Sequence, residues 1–397
     1  MNAKNDNQVA VTGASILGPM YKDSAEFIEF LEQGSARERK EQLTGFKSAA
    51  HLSDRRMLKA VSQDDGYALA ALEVMKKSSG YSNEDYSPWD VGFYVGAPPA
   101  TPYDNENYFD AMKESRVGGQ FDMKKFGEAC MNARPTTLLL GLPNNVLCYG
   151  AIIMNAKGAN SNYTSAHISS QLAVTNGANR IIRRGQKASV VGGFTASDAV
   201  INSMLKQNNL LASSMAGHKP FAEDSEGTRV ADHAGFMLLE DSQEAKKHGR
   251  EAMAYYVDSE QIANYEEGFA QVSNPKNLQN AMQRLLTKSG VSKEQVGVVF
   301  AHGMGVKRYD DYELAAYFEL FSEGEASLVA VSKATGSTME AGGLAEVIAA
   351  SHFYKKGKVT EDLVVRGSGV VGSDKPYYMV LRASLFGDWH LLLMKSA

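Results

Sequence analysis

Cysteine is nearly absent from this 397-residue chain, which has only Cys130 and Cys148. Two thiols exclude a disulfide framework and a thiolate-rich metal site, and a reducing compartment would leave them free. Neither sign of charge dominates. With 41 Lys and Arg against 46 Asp and Glu, the net charge is −5. Electrostatics therefore gives no reason to expect nucleic acid or an anionic membrane as a partner. The longest apolar run, Val146–Met154, falls well short of the ~20 residues that cross a bilayer. The polar start Met1–Gln8 does not read as a signal peptide, so a cytoplasmic protein is expected.

Several familiar motifs are also missing. Thr12-Gly-Ala-Ser-Ile-Leu-Gly18 follows the first strand, but Leu17 and Pro19 stand where a dinucleotide loop needs glycines for close backbone approach. Tyr354 and Lys358 have the Tyr-x-x-x-Lys spacing only near the C-terminus. There is no Gly-x-Ser-x-Gly elbow and no P-loop. The eight histidines lack metal-ligand spacing. Asn162-Tyr163-Thr164 fits a glycosylation sequon, without a secretory route to use it.

What is present is alternation. Short apolar strands are expected at Val9–Thr12, Val91–Val95, Ser189–Val191, Gly235–Leu239, Ala254–Val257, Val296–Phe300, Leu328–Val331 and Tyr378–Leu381. Amphipathic helices are expected at Ser24–Glu32, Asp65–Lys77, Ser169–Arg184, Ala196–Gln207, Asn277–Ser289, Tyr312–Phe321 and Gly342–Lys356. This order predicts an α/β protein whose strands are covered by helices. The charged stretch Asp241–Glu251 suggests a division into halves, residues 1–245 and 246–397.

Four segments occur in a telling order: Gly158–His167 running into a helix, Pro220–Gly227, Ala301-His-Gly-Met-Gly305 with Asp310 and Glu313, and Ser332–Ser337 followed by Ala341-Gly-Gly343. Together they resemble the β-ketoacyl-acyl carrier protein synthases of the thiolase superfamily, over nearly the whole chain from Val9 to Arg382. The resemblance implies a thiolase fold, two similar α/β halves stacked as five layers αβαβα. It also implies phosphopantetheine-borne substrates delivered on an acyl carrier protein, with no cofactor bound by the chain itself.

The departures from that pattern are informative. The family's nucleophilic cysteine, at a helix N-terminus, is replaced by His167. His302 matches the first family histidine, whereas Ser337 takes the place of the second. Lys333 sits one residue too close to Gly336 for the family lysine. The Gly-Phe-Gly-Gly loop is reduced to Gly369–Asp374. Loss of the nucleophile with retention of the pattern resembles the chain length factor, or ketosynthase β, which pairs with a catalytic ketosynthase. On that reading His167, His302, Lys333 and Ser337 are vestigial. His167 would plug the pocket through backbone or Ser337, and Lys333 would hold a loop through Asp310 or Glu313.

Further roles are implied by the same resemblance. Tyr103, Tyr108, Phe109 and Met112 correspond to the floor of a polyketide tunnel. Asn162, Tyr163 and Thr164 fall on an expected edge strand Asn162–Ala166 that joins subunits, and Arg183 and Arg184 are candidate carrier-protein contacts. Alternatives are an active condensing enzyme or malonyl decarboxylase using His167 and His302, and a homodimeric pseudo-enzyme that binds acyl carrier protein.

Overall fold

The computed structural model describes residues 8–99, 105–131, 137–263, 272, 274–322 and 324–397. Among the described residues thirteen strands form in chain order: β1 (Val9–Leu17), β2 (Val91–Gly96), β3 (Arg116–Val117), β4 (Gln120–Phe121), β5 (Asn160–Tyr163), β6 (Ala188–Thr195), β7 (His233–Asp241), β8 (Ala254–Ile262), β9 (Val296–Phe300), β10 (Ser327–Val329), β11 (Val364–Arg366), β12 (Tyr377–Ala383) and β13 (Trp389–Ser396). Strands β3 and β4 make a small hairpin, and the other eleven form one sheet.

Its order is β11-β10-β9-β12-β13-β8-β1-β7-β6-β2-β5, which contains the same arrangement twice. Leaving aside β11 at one edge and the β3–β4 hairpin, and counting the other strands within each half, both β5-β2-β6-β7-β1 and β10-β9-β12-β13-β8 run third, second, fourth, fifth, first. The directions match as well. β2 is parallel to β5 and β6, and β9 is parallel to β10 and β12, while the remaining pairs in each set are antiparallel. The two sets are joined where Val9–Val11 pairs with Ala254–Tyr256, so the ladder is continuous rather than split into separate sheets.

Helices divide the molecule into five layers. Gln63–Ser78 and Asn145–Ile153 cover the outer face of the first strand set. Ser169–Arg184 and Leu344–Lys356 lie between the sets, touching strands of both. Pro275–Ser289 packs beside Lys307–Leu320 and against β8 and β13 on the far side. Three apolar clusters fill the spaces between these layers. This is a thiolase fold.

Local chemistry sets the element ends. Asp23 and Ser62 cap their helices through side-chain oxygens, Ser62 in a reciprocal box with Asp65. Gly185, Gly290 and Gly357 end theirs in the left-handed conformation that residues with a Cβ avoid. The helices expected at Ser24–Glu32 and Ser169–Arg184 form over those residues. The apolar run at 146–154 is largely a helix, Asn145–Ile153. Strand β13, Trp-His-Leu-Leu-Leu-Met-Lys-Ser, was not among the expected strands. It lies between β12 and β8 with its first six residues buried.

Candidate functional site

The site gathers at the C-terminal ends of parallel strands, where an α/β sheet opens between connecting segments. After β5 the chain turns through Ala166–Ile168 into the helix Ser169–Arg184, which places His167 at the turn. Beyond β9 comes His302, and beyond β10 the short helix Ser332–Thr335 leads to Ser337. Ala166 has φ of +49°, a left-handed conformation that costs an L-residue roughly 1–2 kcal/mol. Strain of this kind is characteristic of residues held at functional turns.

His167 and His302 are 1% and 2% exposed. Their rings stand edge to face, with centroids 4.7 Å apart. His167 Nε2 lies 2.9 Å from Ser337 Oγ, whereas its Nδ1 has no partner. Arg382 Nη1 is 3.5 Å from both His302 Nδ1 and its carbonyl oxygen. A guanidinium only donates, so this long contact favours the His302 tautomer with its proton on Nε2, which is also unpartnered. Buried polar atoms without partners are uncommon, and in a folded protein they mark sites of function or of bound solvent.

Burial holds both imidazoles neutral. It pushes His167 down to about 3, with Arg382 adding repulsion. Burial likewise drives His302 well below its usual value, helped by His167 and Arg382. Near neutral pH each ring therefore keeps a single N–H and lacks the second, acidic proton of an imidazolium.

The loop around His302 is built on two buried carboxylates. Glu313 accepts from the backbone N–H groups of His302 at 2.6 Å and Gly303 at 3.1 Å. Asp310 accepts from Gly305 at 3.2 Å and Phe221 at 2.8 Å. Burial pushes Glu313 up to about 8 and Asp310 up to about 7. The expected pairing of Lys333 with one of these acids does not occur, because backbone amides occupy them. Lys333 instead lines a separate cavity with Arg37 and Arg39.

Two residues outside the expected set complete the site. Arg382 and Glu346 form an ion pair, both almost wholly buried. Their signal was present in the sequence. Arg382 is the penultimate residue of the apolar strand Tyr-Tyr-Met-Val-Leu-Arg-Ala, and Glu346 sits in the apolar helix start Leu-Ala-Glu-Val-Ile. A charge embedded in such a run must find a partner or a functional use.

The remaining candidates scatter. Strand β5 covers Asn160–Tyr163, so the edge strand ends before Thr164 rather than reaching Ala166. Ser165 has left the extended region and Ala166 is left-handed, so the strand does not reach Ala166. Asn162 and Tyr163 lie on β5, which ends the strand order and pairs only with β2 among the described residues. Arg183 and Arg184 are exposed at the far end of their helix, about 24 Å along the axis from His167 at ~1.5 Å per residue. Tyr103 lies outside the described residues, as does the side chain of Tyr108. Phe109 and Met112, on the helix Asn105–Glu114, are 55% and 45% exposed. In the reduced glycine loop, Val371 packs into the core while Val370 is exposed. Cys148 is exposed on the helix Asn145–Ile153, and Cys130 is half-buried. Among the described residues, no three His, Cys, Asp or Glu side chains come together as a metal site requires. No helix there is long and apolar enough to cross a membrane.

Residues 37–245 match the family description "Beta-ketoacyl synthase, N-terminal domain", and residues 257–365 match its C-terminal domain. The chain belongs to the β-ketoacyl synthase family. A chloroplastic 3-oxoacyl-[acyl-carrier-protein] synthase II of Arabidopsis thaliana is 24% identical over 264 residues, covering 64% of this chain and 46% of that protein. The match thus spans about half the length of that curated relative.

Among solved structures, the ishigamide ketosynthase/chain length factor aligns with a TM-score of 0.80 at 17% identity, covering 98% of this chain and 99% of that one. A type II polyketide synthase acyl-carrier protein in complex with its ketosynthase, bound to the hexaketide, gives 0.78 at 17%, covering 98% and 100%. At such identities these structures establish the shared fold. In this member of the family His167, the residue expected in place of the cysteine, is buried and neutral.

Proposed function

We propose that this β-ketoacyl synthase homologue is a chain length factor, a subunit without its own condensing chemistry that pairs with a catalytic ketosynthase in type II polyketide synthesis. The observation that carries the reading is a histidine, His167, buried at the turn into the helix Ser169–Arg184, where the family resemblance expects the acyl-accepting cysteine. Acyl transfer in this family needs a thiolate stabilised at a helix N-terminus. Here that place holds an imidazole 1% exposed, and an acyl-imidazole hydrolyses too readily to store a growing chain. Ser337, beside it at 2.9 Å, lacks an imidazole's basicity. Neither Cys148 nor Cys130 lies near the turn in sequence, and Cys148 faces solvent.

On this reading the partner supplies the Cys-His-His set and receives acyl groups from phosphopantetheine on an acyl carrier protein. The open edge of β5, with Asn162 and Tyr163, would meet the partner's sheet, since an unpaired edge strand is a ready site for strand addition. Phe109 and Met112, apolar and exposed in the single chain, would be covered in the heterodimer and bound the tunnel. Aryl polyene, other polyene and aromatic polyketide products are all compatible with this role.

Co-expression with an intact ketosynthase tests the proposal. The two chains should co-purify, and condensation should require the partner's cysteine while surviving His167→Ala. If the chain alone decarboxylates malonyl-carrier protein and His167→Ala abolishes that reaction, the subunit is catalytic. The unpartnered His167 Nδ1 and His302 Nε2 make this second reading worth testing.

A further inference from the structure

Away from the paired histidines, a cavity of about 530 Å³ opens between the segment around residues 35–39, the Lys219–Ala222 turn and the start of β11. Its size lies within the ordinary range for small-molecule sites. The charge of its wall is unusual. Five cationic side chains, Arg37, Arg39, Lys219, Lys333 and Arg366, line it with a single carboxylate, Asp362. The chain as a whole carries net charge −5, so this local excess runs against the overall balance.

The cations are unevenly satisfied. Arg37 is paired with Asp362, and Lys219 with Asp224 outside the cavity at 2.5 Å. Among the described residues Arg39 reaches only carbonyl oxygens, those of His218 and Lys333, each at 3.1 Å. Lys333 is half-buried, yet among the described residues its ammonium has no ion-pair partner within 4.0 Å. Burial lowers the proton affinity of both Arg39 and Lys333, Asp362 offsets this in part for Lys333, and the neighbouring Arg37 lowers both further. Gathering like charges in a half-buried wall is costly unless an anion compensates them.

The backbone of this cavity is also under strain. Phe221 adopts φ of +66°, an outlier for an aromatic residue. Asp310 fixes it by accepting its N–H. Phe221, Pro220 and Val365 give the cavity an apolar side beside the cationic one.

We infer that this cavity binds a phosphoryl group, as free phosphate or as the head of a phosphomonoester whose apolar part lies against Phe221 and Val365. Arg39 and Lys333 would hold its oxygens, a charge-assisted contact well suited to a guanidinium. This inference does not depend on whether the chain condenses acyl groups.

Calorimetric titration of the full-length chain with inorganic phosphate and, separately, phenyl phosphate tests it. Both should bind at low salt, phenyl phosphate more tightly if the natural ligand is an ester, and the two equally if it is free phosphate. Arg39→Gln and Lys333→Gln should each weaken binding about tenfold or more, while Lys124→Gln, a distant exposed change, should not. A second readout guards against misfolded variants. Phosphate should raise the melting temperature of the parent chain by ligand linkage and leave that of Lys333→Gln nearly unmoved. If neither probe binds at millimolar concentration, or if both variants bind as the parent does, the inference is overturned.

Discussion

Removing one partner of the Arg382–Glu346 pair should damage stability far more than removing both. Both side chains are almost wholly buried, and Arg382 also reaches the His302 carbonyl. Arg382→Met leaves the Glu346 carboxylate without its guanidinium, and Glu346→Leu leaves the guanidinium without its acid. Each single change should cost roughly 3–5 kcal/mol. At about 2.1 cal/mol/K per residue, unfolding this 397-residue chain carries an entropy of roughly 0.8 kcal/mol/K. The melting midpoint should therefore fall by about 4–6 °C in each single variant. The double variant removes two desolvated charges together and should lie within ~1 kcal/mol of the parent. Calorimetry and urea titration of all four proteins close the double-mutant cycle. Additive losses, with the double variant the least stable, would refute a coupled pair at the floor of the site.

Three further outcomes follow from the same geometry. Five buried histidines, His167, His218, His233, His302 and His390, are held neutral below the usual range by burial. The unfolded chain takes up their protons below about pH 6.5, so the stability they contribute is complete above that and lost as pH falls toward 3–4, each by up to ~1.4 kcal/mol per pH unit. Glu313, Asp310 and Glu340, raised to about 8, 7 and 7, act oppositely and lower stability as pH rises from about 4.5 toward 8. Urea melts should show greatest stability near pH 5.5–6.5 and a steep fall between 4.5 and 3.5, and a flat profile across that fall would contradict the buried neutral rings. Ala166→Gly relieves the left-handed turn before His167 and should stabilise by about 0.5–1 kcal/mol after the glycine entropy term, measured by urea midpoint. Gly193→Ala would place a Cβ 2.3 Å from the Glu340 carbonyl oxygen; backbone there has little freedom to move, so a loss of at least ~2 kcal/mol is expected in the same assay.

Much of the architecture was legible because periodicity and capping act over a few residues. The helices expected at Ser24–Glu32 and Ser169–Arg184 form over those residues, and the strand expected at Val9–Thr12 forms and runs on to Leu17. β13 was less legible, since Trp-His-Leu-Leu-Leu-Met has no alternation and its strand character comes from being sandwiched between β12 and β8. The edge strand expected to reach Ala166 stops at Tyr163, and nothing in Thr164–Ala166 announces the non-extended backbone of Ser165 and the positive φ of Ala166 beyond it.

By itself, the sequence determined the order of the α/β elements and the family pattern, since each depends on residue identity at a given spacing. Tertiary structure decided which distant groups share an environment. Glu313 and Asp310 were claimed by backbone amides, so Lys333 was left to join Arg37 and Arg39 in a cavity of its own. Arg382 found Glu346 36 residues away and came to rest beside His302. Desolvation and ion pairing depend on three-dimensional neighbours, and spacing along the chain does not specify them.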